Sequence, residues 1–330
     1  MAAGPSRIPQ APARSARVVT APAAGWPGPA AGTRLLVVAP HPDDETIAAG
    51  ELIQQARAAG GAVRVLLLTD GDDNPWPQRW IERRIRIGAA ERQRWGRRRR
   101  AELHEALDLL GVPAADLRAL GWPDMGLTAL LHRPPAEWRA PLLRELDDFR
   151  PDTVVVPALA DRHPDHGAAH VLLRLALAAW DGPPPALLDY LVHGREAADA
   201  GRAIELPCVQ AFRRTKLLAL ERHRSQLALS AGRVRRLAGR AERFGAVAPG
   251  GGAAALPWRP AAPLRPWLRL TVADADGART WRWPQAPLRR DGAGWRLAAA
   301  AGQGQGPRFA KLHLDLPSPW IFDHWGWREL

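Results

Sequence analysis

Cysteine is almost absent from this chain of 330 residues, since Cys208 is the only one. A single cysteine excludes an intramolecular disulfide and a cysteine-based zinc cluster, so any metal must be bound by histidine and carboxylate side chains. Long apolar runs are missing too: stretches such as Leu35 to Pro40 fall far short of the roughly 20 residues that a membrane-spanning helix needs. The sequence therefore predicts no transmembrane helix, and we expect the protein in the cytoplasm.

Lysine is also nearly absent, because Lys216 and Lys311 are the only two lysines among 46 basic residues. The formal net charge of +12 would suit an acidic partner such as nucleic acid or an anionic membrane surface. So strong a bias toward arginine, beside many Ala, Gly and Pro residues, is also what a GC-rich coding sequence produces. We favour coding bias, since a nucleic-acid footprint needs basic side chains clustered on one face.

Composition divides the chain into three parts. Residues 1–32 are rich in Ala, Pro and Gly, lack the apolar segment of a secretory signal, and predict a disordered or loosely packed arm. Residues 33–245 carry the patterned core. Residues 246–330, which begin with a linker-like stretch at 246–257, predict a small domain of short β-strands separated by turns. Eight of the 15 tryptophans lie in this last part, where we favour core filling over an aromatic surface for sugars or membranes.

Apolar runs and helical patterns alternate in the middle part. Strands buried on both faces are expected at Leu35–Pro40, Ala62–Gly71 and Asp152–Leu159. Helices are expected at Thr46–Ala59, at Ala101–Gly111, from Gly167 onward and at Arg213–Leu229. A strand, a helix and a second strand in close succession form a βαβ unit, which indicates a parallel sheet. We therefore predict an α/β fold, a Rossmann-like three-layer sandwich with a mostly parallel sheet, followed by a small C-terminal β-rich appendage.

Two of the predicted strands are each followed by a segment rich in His and Asp. The sequence PHPDDE occupies residues 40–45 after the first strand, and HPDH occupies residues 163–166 after the third. Ligands bind at the carboxyl ends of strands in open α/β sheets, so neighbouring strands would let both segments face one crevice. Burying that many titratable groups together without a metal would be costly. The two segments therefore predict a metal site of the hydrolytic kind, in which a second carboxylate can take a proton from water.

Each segment also has a simpler interpretation. Asp43 or Asp44 could cap the helix that begins near Thr46. His163 or His166 could be an ordinary buried histidine of a loop. The joint occurrence of the two segments at strand ends favours the metal site.

The same residues resemble a known family. PHPDDE and HPDH are similar to the LmbE-like, or PIG-L, superfamily of zinc-dependent N-deacetylases, and the similarity extends over residues 34–230 through TDG at 69–71 and KLLALERHRSQ at 216–226. The resemblance implies a hydrolase that removes an N-acetyl or other N-acyl group from an amino sugar, such as an N-acetylglucosamine-containing glycoconjugate.

The resemblance also implies the metal ligands and the base. His41, Asp44 and His166 would bind Zn²⁺, although sites made of His and Asp accept other divalent metals such as Fe²⁺. Asp43 would act as the general base.

Four further residues receive roles by the same resemblance. His163 would stabilise the tetrahedral oxyanion, and Asp165 would orient His163 by hydrogen bonding. Arg99 and Asp124 would contact the substrate. A solvated basic helix face explains the arginine run 97–100 equally well, and its register could slip by one residue.

Two other functions stay open. One is a protein that binds nucleic acid or an anionic membrane surface through the ten arginines of Arg79–Arg100, which steeply salt-dependent binding would reveal. No nucleic-acid module is recognisable, whereas peripheral membrane contact stays open. The other is a catalytically inactive carbohydrate-recognition scaffold, against which the intact ligand set weighs. The arginines could instead hold a phosphate of a phosphate-bearing or lipid-linked substrate.

Overall fold

The structure consists of a central sheet with helices and two smaller sheets near the C-terminus. The computed structural model describes residues 28–194, 204–247, 255–292, 294–298, 306–315 and 321–330. The predicted N-terminal arm lies outside the described residues up to residue 27, and so does most of the predicted linker, at 248–254. The domain boundaries before residues 33 and 246 stay predictions.

The central sheet has seven strands within the described residues. They are β1 (Arg34–Ala39), β2 (Ala62–Thr69), β3 (Leu117–Trp122), β4 (Thr153–Pro157), β5 (Ala186–Tyr190), β6 (Ile204–Glu205) and β7 (Arg243–Ala246). Their order across the sheet is β3-β2-β1-β4-β5-β7-β6. The pairs among β1 to β5 are parallel, whereas β7 is antiparallel to both β5 and β6. The prediction of an α/β fold with a mostly parallel sheet is confirmed.

Eight α-helices lie within the described ranges. They are α1 (Asp44–Ala58), α2 (Pro75–Glu82), α3 (Ala89–Leu110), α4 (Leu127–Leu130), α5 (Pro135–Phe149), α6 (Pro164–Ala179), α7 (Gln210–Leu220) and α8 (Arg224–Ala238). The prediction of one helix over Arg213–Leu229 is wrong, because the chain turns between α7 and α8. The turn brings the buried ring of His223 to within 3.3 Å of Glu45 Oε1, a contact that periodicity cannot reveal. None of the helices within the described ranges is long and apolar enough to cross a membrane.

Apolar side chains cover both faces of the central sheet. Along β1, Leu35 and Val37 point to one face and pack with residues of α1, α3, α7 and α8. Leu36 and Val38 point to the other face and pack with residues of α4, α5 and α6. Because side chains alternate across a strand, a run that is apolar at every position suits a strand with helices on both faces.

Two small antiparallel sheets follow the central sheet. Their strands are β8 (Ala255–Leu256), β9 (Leu268–Asp274), β10 (Gly277–Arg282), β11 (Leu288–Asp291), β12 (Gly294–Leu297), β13 (Phe309–Leu314) and β14 (Gly326–Glu329). One sheet has the order β10-β9-β13-β14 and the other has the order β11-β12-β8. Trp258 and Trp283 are buried in the apolar cluster of this part, which confirms core filling for them, whereas Trp267 is 54% exposed.

The last strand packs against helix α6. Trp327 of β14 is fully buried, and a Cβ on Gly167 would lie 2.8 Å from its Cδ1 atom. Arg174 of α6 pairs with Glu329 at 2.6 Å. Since Gly167 directly follows His166, the C-terminal strands support the turn that carries one of the His- and Asp-rich segments.

Candidate active site

The two His- and Asp-rich segments meet at one edge of the central sheet. β1 and β4 are parallel neighbours, so the segments that follow them leave the sheet on the same side. The ring of His41 lies 4.6 Å from that of His163 and 5.4 Å from that of His166, measured between centroids. The structure therefore brings the three predicted histidines together.

Asp44 lies between the two histidines that were predicted to bind metal. Its Oδ2 atom is 3.2 Å from Nδ1 of His41 and 3.2 Å from Nε2 of His166. The same oxygen accepts a hydrogen bond from the backbone N–H of His41 at 3.0 Å. All three side chains are buried, so the predicted ligand set forms one contiguous group.

The donor atoms of this cluster fit a divalent cation. Three sets of donors have their ligand atoms within 4.8 Å of one another: His41-His163-His166, Asp44-His166-His193 and His41-Asp124-Asp165. Nε2 of His41 and both ring nitrogens of His166 are buried without a hydrogen bond, although carboxylate oxygens lie close to them. These imidazole nitrogens and the carboxylate oxygens beside them form a mixed set of N and O donors. Zinc and iron both bind such sets.

Carboxylates around His41 and His166 favour positive charge at this point. Burial opposes the charged form of His41, but the carboxylates beside its ring, that of Asp124 first, raise its pKa well above the ordinary value. Burial likewise opposes the charge on His166, but Asp161 and Asp44 raise its pKa to about 10. Burial also opposes ionisation of Asp44, yet the charge of His166 holds the pKa of Asp44 well below its usual range. The carboxylates of the cluster therefore stabilise positive charge at this point.

Asp43 lies beside the cluster in an unusual backbone conformation. Its φ of 132° is rare for a residue with a side chain, and such outliers concentrate at functional sites. Its side chain is only 14% exposed, and Oδ1 lies 3.4 Å from Nη2 of Arg99. Burial raises the pKa of Asp43 to about 6, against the opposing charge of Arg99. A carboxyl group with a pKa near neutrality can both take and return a proton.

Arg99 is the arginine of the 97–100 run that faces this site. It is 4% exposed and donates hydrogen bonds to the backbone carbonyls of Gly71 at 2.6 Å and Pro42 at 2.8 Å. A Cβ on Gly71 would lie 1.8 Å from Nη1 of Arg99, so this close approach requires glycine. The Nε atom of Arg99 is buried without a hydrogen-bond partner. Arg97 and Arg98 are exposed, which identifies the register of the run.

Asp124 borders the cluster on the side of His41. Its Oδ1 atom lies 3.2 Å from Nε2 of His41, and its Oδ2 atom accepts a hydrogen bond from the backbone N–H of Asp73 at 2.6 Å. Burial would raise the pKa of Asp124, but the neighbouring imidazole of His41 outweighs burial and lowers the pKa. Asp124 is therefore a carboxylate held in place at the rim of the site.

His163 caps the beginning of helix α6. Its Nδ1 atom accepts a hydrogen bond from the backbone N–H of Asp165 at 3.3 Å. Burial and the neighbouring imidazoles lower the pKa of His163 well below its usual value, so the ring is neutral and carries its proton on Nε2. The carboxylate of Asp165 accepts instead from the backbone N–H groups of Met125 and Leu127, at 2.7 and 3.1 Å. The hydrogen bond that joins Asp165 to His163 thus comes from the backbone of Asp165 and not from its carboxylate.

Asp161 is a site residue that the sequence analysis did not single out. Its Oδ2 atom lies 3.0 Å from Nδ1 of His166 and accepts hydrogen bonds from the backbone N–H groups of Val192 and His193. Its Oδ1 atom accepts from the backbone N–H of His163 at 2.9 Å. Asp161 therefore positions the HPDH segment and the loop that carries His193. Its place two residues before His163 is the signal in the sequence that could have identified it.

The arginines of segment 79–100 are largely engaged in local ion pairs. Besides Arg99, which contacts Asp43 in the site, five of these ten arginines pair with acidic residues: Arg84 with Glu91, Arg92 with Asp73, Arg94 with Glu82, Arg98 with Glu102, and Arg100 with Asp70. Paired charges of this kind are typical of a solvated helix face. The alternative of a binding protein for nucleic acid or membrane surfaces is therefore not supported.

Comparison with known proteins identifies the family. The family described as PIG-L: GlcNAc-PI de-N-acetylase matches residues 36–177. A 1D-myo-inositol 2-acetamido-2-deoxy-alpha-D-glucopyranoside deacetylase of Saccharomonospora viridis is 30% identical over 234 residues, which cover 58% of this chain and 85% of that relative. This chain belongs to the PIG-L family. The match of the PIG-L family contains both His- and Asp-rich segments and ends before His193.

Other PIG-L relatives match a shorter part of the chain. The deacetylase of the same name from Mycolicibacterium vanbaalenii is 34% identical over 171 residues, 46% of this chain and 57% of that protein. The chain thus spans about half the length of the mycobacterial relatives that it matches. The crystal structure of a deacetylase triple mutant from the teicoplanin biosynthetic pathway superimposes with a TM-score of 0.50 at 25% identity, covering 67% of this chain and 100% of that one.

Proposed function

We propose that this protein is a metal-dependent N-deacetylase that hydrolyses the acetamide of an N-acetylated amino sugar. The observation that carries the proposal is the position of Asp44 between His41 and His166, with Asp43 beside them. A carboxylate base next to mixed His and Asp donors is the arrangement that metal-assisted amide hydrolysis needs. The names of the relatives, which are deacetylases of 2-acetamido-2-deoxy-glucopyranosides of inositol, support this substrate class.

His41, Asp44 and His166 would hold the metal, for which we propose zinc, with iron as the alternative. A bound zinc ion would supply a Lewis acid that polarises the amide carbonyl and makes water acidic. The carboxylate of Asp161 would keep the ring of His166 oriented for this role.

The chain's own residues would move the protons. Asp43 would take a proton from the attacking water as its oxygen bonds to the carbonyl carbon, and would return the proton to the amide nitrogen as the C–N bond breaks. The products are acetate and a free amine. His163 would donate its Nε2–H to the carbonyl oxygen as negative charge develops there.

Arg99 and Asp124 would contact the sugar. Arg99 offers a buried Nε–H that has no hydrogen-bond partner, and Asp124 offers an oxygen at the rim of the cluster. Both groups would bind sugar hydroxyls, and their contacts with Asp43 and His41 would align the sugar with the reacting groups. Asp165 would position His163 through its backbone N–H.

We also propose that the mostly parallel sheet, with helices against both faces, is a Rossmann-like three-layer sandwich. The site then lies where ligands bind in such folds, beyond the carboxyl ends of neighbouring strands.

A phosphate or lipid carrier on the substrate could bind in a cavity between the loop at 70–72 and helix α3. This cavity of about 410 Å³ is lined by Arg92, Arg97 and Arg100 together with Asp70 and Asp72. Because Arg92 and Arg100 already pair with aspartates, we propose that the favoured substrate has no phosphate at this position. A panel of substrates with and without a phosphate tests this point directly.

Amine release tests the proposal. Wild-type protein supplied with zinc should release a free amine from at least one N-acetylglucosaminyl compound, inositol-linked compounds included. Asp43→Asn removes the base and keeps the side-chain shape, so it should lower kcat by roughly 10²-fold or more. Asp108→Asn is the matched control, because Asp108 is exposed on α3. No release from any compound by the metal-loaded wild type would overturn the proposed substrate class.

A further inference from the structure

A fourth imidazole borders the metal cluster. His193 lies in the loop after β5, outside the part of the chain that matches the family. Its ring centroid is 5.0 Å from that of His166 and 5.5 Å from that of His163. One of its ring nitrogens lies within 4.8 Å of donor atoms of both Asp44 and His166. By position alone, His193 could be either a further metal ligand or a group that meets the substrate.

The contact with Arg233 distinguishes these two roles. An Nη2 atom of Arg233 lies 2.8 Å from Nδ1 of His193. A guanidinium group has donors only, so Nδ1 of His193 must accept this hydrogen bond. An imidazole whose Nδ1 accepts is neutral and carries its proton on Nε2. The other ring nitrogen, Nε2, is therefore an N–H donor, and it has no lone pair in the ring plane with which to bind a metal.

The loop that carries His193 is fixed on several sides. Asp161 accepts hydrogen bonds from the backbone N–H groups of Val192 and His193, each at 3.0 Å. The ring of Phe322 lies 5.4 Å from that of His193, and the guanidinium carbon of Arg233 lies 5.8 Å from the centroid of Phe322. The ring therefore keeps one orientation, with Phe322 of the C-terminal segment beside it.

We propose that His193 donates its Nε2–H to the carbonyl oxygen of the substrate amide, alongside the Nε2–H of His163. Arg233 is the positioning residue that fixes the tautomer of His193. Two N–H donors that face one oxygen stabilise the charge that develops there during attack. The identity of the acceptor rests on the proposed function, whereas the tautomer of His193 and its exclusion as a ligand do not.

Nitrogen NMR of the full chain labelled with ¹⁵N-histidine tests the tautomer. The resonances of His193 are those that disappear in His193→Phe, a variant that keeps a ring of similar size without a donor. They should report a proton on Nε2 both before and after zinc is added, and His193→Phe should bind zinc with the wild-type stoichiometry and affinity. Loss of the Nε2 proton of His193 when zinc is added, or loss of zinc binding in His193→Phe, would show that His193 is a ligand and would overturn the proposal.

Kinetics test the donor role. His193→Phe should lower kcat by roughly 10²-fold with little change in KM, and His193→Gln, which keeps an N–H near the position of Nε2, should recover part of the loss. Arg233→Met should lower kcat less and should change the tautomer signal of His193. Arg236→Met is the matched control, since Arg236 is an exposed arginine of the same helix α8.

The outcomes separate the two proposals. Wild-type kcat in His193→Phe would refute the donor role. If the wild type releases no amine from any compound, the proposed function fails, and with it the donor role, while the NMR result still decides the tautomer and the exclusion as a ligand.

Discussion

Asp44 and Asp161 hold His166 between them, because their carboxylate oxygens lie 3.2 and 3.0 Å from its two ring nitrogens. An imidazole held in this way has one ring orientation before any ligand binds, so little rotational freedom is lost on binding. Asp161 also accepts hydrogen bonds from the backbone N–H groups of His163 and His193, so it fixes the positions of the loops that carry these residues.

The first prediction concerns Asp161. Asp161→Asn keeps the shape of the side chain but removes the charge beside Nδ1 of His166, so the affinity for zinc should fall by roughly 10- to 100-fold. Competition with a chelator of known affinity measures this change. Asp108→Asn, at an exposed position of α3, is the control and should bind zinc like the wild type. Unchanged affinity in Asp161→Asn would mean that Asp161 does not act on the metal site.

Most of the individual residues of the candidate site could be predicted from the sequence. His41, Asp43 and Asp44 are adjacent in sequence and follow an obvious apolar strand, so their convergence needs only the correct strand order. His193 could not be predicted, because it is a single histidine after β5, a strand of five residues that the sequence analysis did not recognise. Its contact with Arg233 joins residues 40 positions apart, which no local pattern shows.

At the scale of secondary structure, a buried ion pair ties α1 to α7 and to the chain before β7. Nζ of Lys216 lies 2.8 Å from Oε1 of Glu242, and both side chains are almost completely buried. Glu242 also accepts hydrogen bonds from the backbone N–H groups of Glu51 and Leu52 in α1. Lys216 passes over Gly50, where a Cβ would lie 2.9 Å from Cγ of the lysine. The pair therefore locks the helix whose first turn carries Asp44.

The second prediction follows from this burial. Lys216→Met leaves the carboxylate of Glu242 buried without its cation, so the free energy of unfolding should fall by about 3–5 kcal/mol. Urea unfolding measures the loss, and the further change Glu242→Gln should restore part of it. Arg235→Met breaks the exposed pair with Glu221 and should cost less than about 1 kcal/mol. A loss in Lys216→Met as small as that of the control would contradict the buried-pair account.

Some strands and helices could be predicted from the sequence and others could not. The extent of their burial explains much of this difference. β1, β2 and β4 are buried along nearly their whole length, so each reads as a mostly apolar run, which Arg64 interrupts in β2. β3, with the sequence LRALGW at the edge of the sheet, alternates between half-buried and exposed residues and was not recognised. The turn between α7 and α8 depends on the contact of His223 with Glu45, a tertiary contact that helical periodicity does not record.

At the scale of the whole molecule, the C-terminal strands help to hold in place the helix and the loop that carry His166 and His163. Trp327 and Glu329 of β14 contact α6 directly after the turn that carries His166, and Phe322 lies 6.3 Å from the ring of His163. This part of the chain lies outside the family match at residues 36–177. The sequence analysis predicted its β-strands, and the structure adds that they pack against the part of the chain that carries the candidate site.

The third prediction tests this support. Trp327→Ala leaves a cavity beside Gly167, so the free energy of unfolding should fall by about 3–5 kcal/mol, and kcat should fall because the turn that carries His166 loosens. Trp267→Ala, at a side chain that is 54% exposed, should change stability by no more than about 0.5 kcal/mol. Urea unfolding and amine release on the same preparations measure both effects. Full activity in a Trp327→Ala protein that stays folded would show that the C-terminal strands do not support the site.

The central claim is that this cluster hydrolyses an amide with the help of a metal. Metal reconstitution tests this claim most directly. The protein is stripped with a chelator, and amine release from the best N-acetylglucosaminyl substrate is followed while zinc is added back. The account predicts that activity disappears on stripping and returns in proportion to zinc up to one equivalent per chain, and that Asp44→Asn neither binds this equivalent nor recovers. Amine release that persists after complete removal of metal, or that returns equally in Asp44→Asn, would contradict the account.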